Sequence, residues 1–172
     1  MTAKDLIKKY NIQYHTDTTL QVGRKPSATD LQAIKDNKPE ILAILIAEKK
    51  AKDDAREARE KAIAGIDGLD ALRKAIDAEY AYSREVNRRF EDESLSSFMP
   101  GKPASSDDLK KQYPRAAAYI KAENWTMSGN VDKYSAGQKA LERIINDENH
   151  VTVIAEMEAE WSQAAHEAMM RD

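Results

Sequence analysis

Residues 2–22 read TAKDLIKKYNIQYHTDTTLQV, and this stretch decides the expected fold of the N-terminal region. Its second half alternates apolar and polar side chains about a polar Thr-Asp-Thr turn, with Ile12 and Tyr14 before the turn and matching apolar residues after it. A period of two residues is typical of strands with one buried face, so the stretch predicts a β-hairpin. Thr2, with Asp5 three residues later, is a capping pattern and predicts a helix before the hairpin.

After the hairpin, capping patterns and periodic apolar residues predict a series of helices. Ser27 opens a second capping pattern, and Pro39 suits the first turn of a third helix, where its missing N–H would have no partner. This third helix is expected to run from 39 to about 61, and its alanines at a 4-3-4 spacing predict an exposed stalk or an alanine seam. The next predicted helix, 66–90, has apolar residues at helical intervals, Tyr80 among them.

The clearest linker is 93–106, where prolines and serines lie outside any periodic pattern. Beyond it Ser105 is expected to cap a short helix and Pro114 to begin another. Two further helices follow, and their periodic apolar series include Tyr134 and Val151. The predicted fold is therefore mainly α with a small β-hairpin. It comprises a helix–hairpin–helix unit (1–50), a long helical hairpin or stalk (51–92), the linker (93–106) and a C-terminal helical bundle (107–172).

Composition excludes several classes of protein. The net charge of −3 over 172 residues gives no strong field that would favour nucleic acid or an anionic membrane. The absence of cysteine excludes disulfides, thiolate catalysis and cysteine-ligated metals. Residues 1–10 lack the apolar run of a signal peptide, so we expect a cytoplasmic protein with no membrane contact. Because large apolar residues are few, Trp125 and Trp161 are expected to be structural anchors.

No pattern in the sequence predicts catalysis. His15, His150 and His166 lie on the predicted hairpin, at a helix start and on the final helix, without the i, i+4 histidine partner of a helical metal site. The chain has no phosphate-binding glycine loop and no serine in a nucleophile elbow. We therefore expect a protein that is not an enzyme and that uses no metal and no cofactor.

Charge is distributed unevenly along the chain. Residues 145–172 carry a net charge of −6 on a predicted helix that contains Glu156, Glu160 and Glu167. One interpretation is that this acidic helix lies in a basic groove of a partner, because complementary charge raises the association rate and selects the partner. The other is a solubilising acidic face.

Three arginines are candidates for nucleic-acid contact. Arg84, Arg88 and Arg89 lie roughly on one side of the helix before the linker. No aromatic residues are interleaved with them to stack on bases, and acidic residues lie beside them. Direct nucleic-acid binding is therefore an alternative and not the leading interpretation.

The first 48 or so residues resemble a known docking domain. The resemblance rests on DLI at 5–7, NIQ at 11–13, TLQV at 19–22, ATDL at 28–31 and KPEILAIL at 38–45. In order, spacing and residue type these stretches resemble the N-terminal docking domain of the tubulysin-synthetase type. The resemblance implies a unit that recruits the end of another protein, often as a dimer, through its exposed hairpin. It assigns partner contacts to Gln13, Tyr14, His15, Gln21 and Val22.

The C-terminal part is similar to small prophage-encoded helical proteins through KQYPRAAAY at 111–119 and MEAEWS at 157–162. Small mobile-element proteins without catalytic motifs are often inhibitors of host defence, among them anti-CRISPR proteins. The leading hypothesis is an interaction protein of phage type, acting in a bacterial host by occluding a surface of a CRISPR effector nuclease. The alternatives are a dimerising docking or adaptor protein and a small nucleic-acid-binding accessory protein. We expect a homodimer.

Overall fold

The computed structural model describes residues 1–91 and 101–170, apart from the side chains of residues 167–169. This part of the chain is mainly helical with one antiparallel hairpin, which confirms the predicted fold class. It forms two compact units, unit 1 (Met1–Glu60) and unit 2 (Lys61–Asp172). None of its helices combines the length and apolar composition that crossing a bilayer requires. The elements are α1 (Ala3–Tyr10), β1 (Ile12–Thr16), β2 (Thr19–Val22), α2 (Ala28–Asp36), α3 (Lys38–Ala64), α4 (Leu69–Glu91), α5 (Ser106–Gln112), α6 (Pro114–Thr126), α7 (Val131–Ile145) and α8 (His150–Met169).

Capping residues set the helix ends in unit 1, as the sequence predicts. Thr2 Oγ1 accepts from the Asp5 N–H at 3.2 Å, and the Asp5 carboxylate accepts from the Thr2 N–H at 2.9 Å. This reciprocal pair is a capping box. Ser27 caps α2 by accepting from the Asp30 N–H at 3.2 Å. Asn11 ends α1 in a left-handed conformation, φ 49°, which turns the chain into β1.

One face of the hairpin packs on the helices of unit 1. Ile12 lies opposite Val22, and Tyr14 lies opposite Leu20. Since alternate residues of a strand share a face, these four side chains point to the same side of the hairpin. The buried core of unit 1 consists of Ala3, Leu6, Tyr10, Ile12, Ile34, Ile41 and Leu45.

A polar contact links α1 to α2. The Asp30 carboxylate accepts from the Tyr10 hydroxyl and from Lys9 Nζ, the latter at 3.0 Å. The hydrogen bond from Tyr10, followed by that from Lys9, holds the pKa of Asp30 below its ordinary value. The Asp30 carboxylate, which lies in the first turn of α2, therefore positions the end of α1.

The environment of α3 changes along its length. Pro39 is its second residue, as expected from the sequence. Ile41 and Leu45 are buried in the core of unit 1. Every residue from 47 to 60 is exposed, except for the partly buried Asp53. The alanine series of the predicted stalk or seam therefore starts in the exposed part of α3.

A second core joins α4 to the helices that follow it in unit 2. Its largest fully buried apolar side chains are Leu72, Ile144 and Val153. Gly68 precedes α4 with φ +71°, and a Cβ at that position would lie 2.1 Å from the Tyr113 ring. Glycine thus allows both the turn into α4 and the packing of Tyr113 over it.

The helices α6 and α7 approach closely at a glycine. A Cβ on Gly137 would lie 2.8 Å from the Ala122 carbonyl oxygen and 3.0 Å from Thr126 Cγ2. At the end of α7, Arg115 of α6 donates to the Ile144 carbonyl at 2.8 Å. The last carbonyls of a helix lack partners within it, so α6 caps α7 from outside.

Some predicted apolar positions of unit 2 are not buried. Tyr80 is 65 % exposed, Tyr134 52 % and Val151 67 %. Their periodicity correctly predicted helices, but it did not identify which face another helix covers, because burial depends on the neighbours. Most of the predicted linker 93–106 lies outside the described residues, which resume at Gly101.

Candidate functional site

The hairpin places the five predicted partner-contacting residues in different surroundings. Gln13 pairs with Gln21 across the two strands. His15 lies where the strand register shifts, between Tyr14 and Thr16. Gln13, His15 and Gln21 are all exposed, and we call them the outer hairpin residues.

Tyr14 and Val22 belong to the opposite face. The Tyr14 ring lies beneath Lys49 of α3, with Nζ 4.5 Å from the ring centroid, and its hydroxyl donates to Asp17. That hydrogen bond raises the pKa of Tyr14, because deprotonation would place two negative charges side by side. Val22, opposite Ile12, is 37 % exposed. Tyr14 is therefore tied to α3, whereas Val22 remains at the surface.

Within residues 1–91 and 101–170 the sheet has two strands, so no further strand pairs with the edge of β2 that faces away from β1. The Gly23 N–H points toward the β1 side, where it bonds to the Asn11 carbonyl at 3.2 Å. Successive residues of a strand direct their backbone groups to opposite edges, so Val22 directs its N–H away from β1. All of β2 is exposed except the half-buried Leu20. An edge of this kind can accept a further strand.

The predicted acidic helix is α8, and α7 supplies cations to it. Glu156 accepts from Arg143 Nη1 at 2.5 Å, and Glu160 accepts from Lys139 Nζ at 2.6 Å. The hydrogen bond to Glu156 is the main cause of a raised pKa at Arg143. The negative charge of α8 is thus partly neutralised, which the sequence did not reveal because the cations lie on another helix. The side chain of Glu167 is outside the described ones.

Two of the three candidate arginines share one carboxylate. Arg88 Nε donates to Glu85 at 2.9 Å, and Arg89 Nε donates to the same carboxylate at 2.6 Å. The hydrogen bonds from Arg88 and Arg89 lower the pKa of Glu85 to about 2. Arg84 is exposed on the same helix. Glu85 therefore offsets part of the positive charge that a phosphate would contact.

The three histidines lie on two elements, far apart in the sequence. His15 is on β1, His150 begins α8 and His166 lies near the other end of α8. Within residues 1–91 and 101–170, no group of three histidine, aspartate or glutamate side chains could hold a metal ion.

The two tryptophans contact each other. The rings of Trp125 and Trp161 meet edge to face, with centroids 5.9 Å apart and an interplanar angle of 71°. Lys133 places Nζ 4.4 Å from the Trp161 ring centroid. The pair joins α6 to α8, and Lys133 adds a cation–π contact from α7.

Unit 2 also contains a groove that the sequence did not predict. In it α4 and α8 each pack against α6 and make little contact with one another. The space between them, which we call the α4–α8 groove, has a volume of about 1070 Å³. Tyr80 and Val151, which belong to the periodic apolar series of the sequence, line it while remaining exposed. The residues that shape the groove include Ala117 and Ala118 on α6, Ile76 and Tyr80 on α4, and Val151 and Ile154 on α8.

Comparison with family models, curated proteins and solved structures finds no match to this chain. A function has to be argued from the hairpin, the charged helices and the groove themselves.

Proposed function

We propose that this chain is a protein-interaction protein without catalytic activity, and that its hairpin docks an extended segment of a partner. The observation that carries this proposal is the free edge of β2, where Val22 directs its N–H outward on an exposed strand. Strand addition uses such backbone groups for affinity and the side chains beside them for specificity. The resemblance of the first 48 or so residues to docking domains supports the same use of the hairpin.

The charge around the hairpin favours an acidic segment. Residues 1–50 carry a net charge of +3. A small cavity of about 220 Å³ beside Tyr14 is lined by Lys49 and Lys50, together with Asp17 and Asp53. The two aspartates offset the two lysines in this cavity, so the preference for an acidic segment rests on the net positive charge of residues 1–50, which increases the association rate more than the final affinity.

Site-specific photo-crosslinking tests this docking mode in the full chain. A benzophenone amino acid replaces Gln21 on the hairpin or, as a control, Lys35, which is exposed on α2 of the same unit. In bacterial cells we expect cross-links from position 21 to an acidic segment of another protein, and none of these from position 35. Val22→Pro removes the outward N–H and should abolish the cross-links from position 21 while circular dichroism shows unchanged helix content.

Two results would contradict this docking mode. One is equal cross-linking from both positions, and the other is undiminished cross-linking in the Val22→Pro variant. Cross-links formed only between copies of the chain would instead favour the dimerising adaptor, in which two hairpins pair edge to edge.

For the partner we propose a CRISPR effector nuclease of the host, bound by occlusion of its nucleic-acid groove. The support is the resemblance of the C-terminal part to prophage proteins, together with the surface position of Glu156 and Glu160 on α8. A basic groove would have to compete with Arg143 and Lys139 for these carboxylates. Binding through these exposed carboxylates should weaken with salt, because exposed charges are screened at ~0.15 M, where the Debye length is only about 8 Å.

The test measures affinity for the purified nuclease at low and moderate salt, with its guide RNA as competitor. Replacing Glu156, Glu160 and Glu167 by Gln should weaken binding and flatten its salt dependence. The control, Glu40→Gln with Glu48→Gln, removes two charges from exposed positions of unit 1 and should leave the affinity and its salt dependence unchanged. Equal affinities, or simultaneous binding of the guide RNA, would contradict occlusion by α8.

A further inference from the structure

The α4–α8 groove has the shape of an incomplete helical bundle. Its two walls, α4 and α8, both pack on α6 but make little contact with each other. Its floor includes Ala117 and Ala118, whose small side chains let another backbone approach α6. At its margins the large side chains of Tyr80 and Val151 remain exposed, so apolar surface is left uncovered on both walls of the groove.

We propose that this groove binds an amphipathic helix of a partner protein, which inserts an uncharged apolar stripe between α4 and α8. Helices pack with their axes about 8–10 Å apart where small residues lie at the contact, as the alanine floor allows. Apolar residues spaced three and four apart on the incoming helix would contact Ile76 on one wall and Ile154 on the other. The groove lies in unit 2, and its proposed use does not depend on whether the hairpin docks a partner.

The polar groups of the groove favour a helix over an extended peptide or a polar small molecule. The four charged side chains of the lining are two lysines and two glutamates, so the lining has no net charge. Each is already engaged: Lys121 with Glu158, Glu79 with Ser106, and Lys110 with Asp107. The uncharged polar side chains of the lining are Ser83, Asn124 and His150, which are fewer than the backbone N–H and C=O groups that an extended segment filling the groove would bring, whereas a helix satisfies its own. The complementary surface is therefore neutral, apolar and helical.

A synthetic helix provides the probe. It has 20 residues, with leucines spaced three and four apart and only alanine and glutamine elsewhere, and its control has proline at the centre. Binding to the full chain is measured by calorimetry and by amide shifts in the NMR spectrum. We expect saturable binding of the helical peptide, with shifts concentrated at the residues of the groove, and loss of binding for the proline peptide.

Matched variants locate the site. Val151→Asp and Tyr80→Glu place a charge on the groove, and each should weaken binding about tenfold or more. Val131→Asp and Tyr134→Glu make the same changes at exposed residues of α7 outside the groove, and should leave binding within about twofold. Val151 and Val131 both lie in first turns, where an aspartate favours the helix and the variants should fold.

Several results would overturn the proposal. These are equal binding of the helical and proline peptides, equal effects of the groove and control variants, and shifts concentrated outside the groove. A concentration-dependent dimer that Tyr80→Glu dissociates, and that excludes the peptide, would assign the groove to a second copy instead. Each of these outcomes can be obtained whether or not the hairpin docks a strand.

Discussion

At the scale of single residues, one buried hydroxyl connects two helices of unit 2. Ser106, the first residue of α5, is fully buried. Its N–H donates to the Glu79 carboxylate of α4 at 2.8 Å and its hydroxyl donates at 2.7 Å. The backbone bond and then the hydroxyl bond hold the pKa of Glu79 below its ordinary value of 4.5. The start of α5 is thereby fixed on α4.

This contact predicts a stability effect that depends on pH. Ser106→Ala removes the hydroxyl donor and should lower the Tm by a few degrees at pH 7. Because the pKa of Glu79 is lowered by folding, its contribution is present above about pH 4.5 and is lost as the pH falls through the lowered value. The difference between parent and variant should therefore shrink in acid, measured by thermal unfolding across this range. Ser83→Ala, at an exposed serine of α4, is the control and should match the parent at every pH.

The tryptophan pair gives a second prediction at this scale. Trp161 is partly buried, so Trp161→Ala should cost about 2–3 kcal/mol in free energy of unfolding, less than the ~3–5 kcal/mol of a fully buried tryptophan. Trp161→Phe keeps an aromatic ring against Trp125 and should recover most of this loss. Urea unfolding measures both variants. An alanine variant as stable as the parent would show that Trp161 is not a structural anchor.

At the scale of elements, local sequence patterns were sufficient to predict where helices begin and end. They were not sufficient to predict which faces of the helices are buried. The capping residues Thr2 and Ser27 and the first-turn Pro114 were predictable, because caps act within one turn of the chain. The hairpin was predictable from the alternation of apolar and polar side chains. The exposure of Tyr80 and Val151 was not, because it depends on α4 and α8 flanking α6 without packing together. The groove consequently could not be predicted from periodicity.

The close approach of α6 and α7 predicts an unusual effect of alanine in a helix. Gly137→Ala should destabilise unit 2 although alanine is the better helix former by about 1 kcal/mol, because the new Cβ would meet the Ala122 carbonyl oxygen at 2.8 Å. Ser135→Ala, an exposed position two residues earlier in α7, provides the control and should be neutral or slightly stabilising. Thermal unfolding by circular dichroism compares them. A higher Tm for Gly137→Ala would mean that α6 and α7 are not packed this closely.

At the scale of the whole molecule, the described part of the chain has two clusters of buried side chains, one in each unit. The buried residues of unit 1 cluster around Leu6 and Ile41, and those of unit 2 around Leu72 and Ile144. The sequence indicated a change of character near residue 50, because the basic N-terminal stretch ends there. The chemistry of a partner was not predictable in the same way: the ion pairs of α8 and the groove both join residues distant in sequence.

Separate cores predict separable stability. Leu6→Ala and Leu72→Ala each remove a fully buried side chain and should each cost about 2–5 kcal/mol. Hydrogen exchange followed by mass spectrometry should show faster exchange mainly in unit 1 for the first variant and mainly in unit 2 for the second. Loss of protection in both units from either substitution would contradict this and indicate one cooperative fold.

The exposed stretch of α3 has a consequence for how long the chain survives in a cell. Residues 47–60 have almost no buried side chain, and a helix of this length is only marginally stable by itself in water. Local opening there needs neither core to unfold, so a protease can reach the backbone at a rate set by this helix alone. Stabilising either core would then not lengthen the lifetime of the protein, whereas strengthening this helix would. The basic residues that a trypsin-like protease would cut after are Lys49, Lys50, Lys52, Arg56 and Arg59.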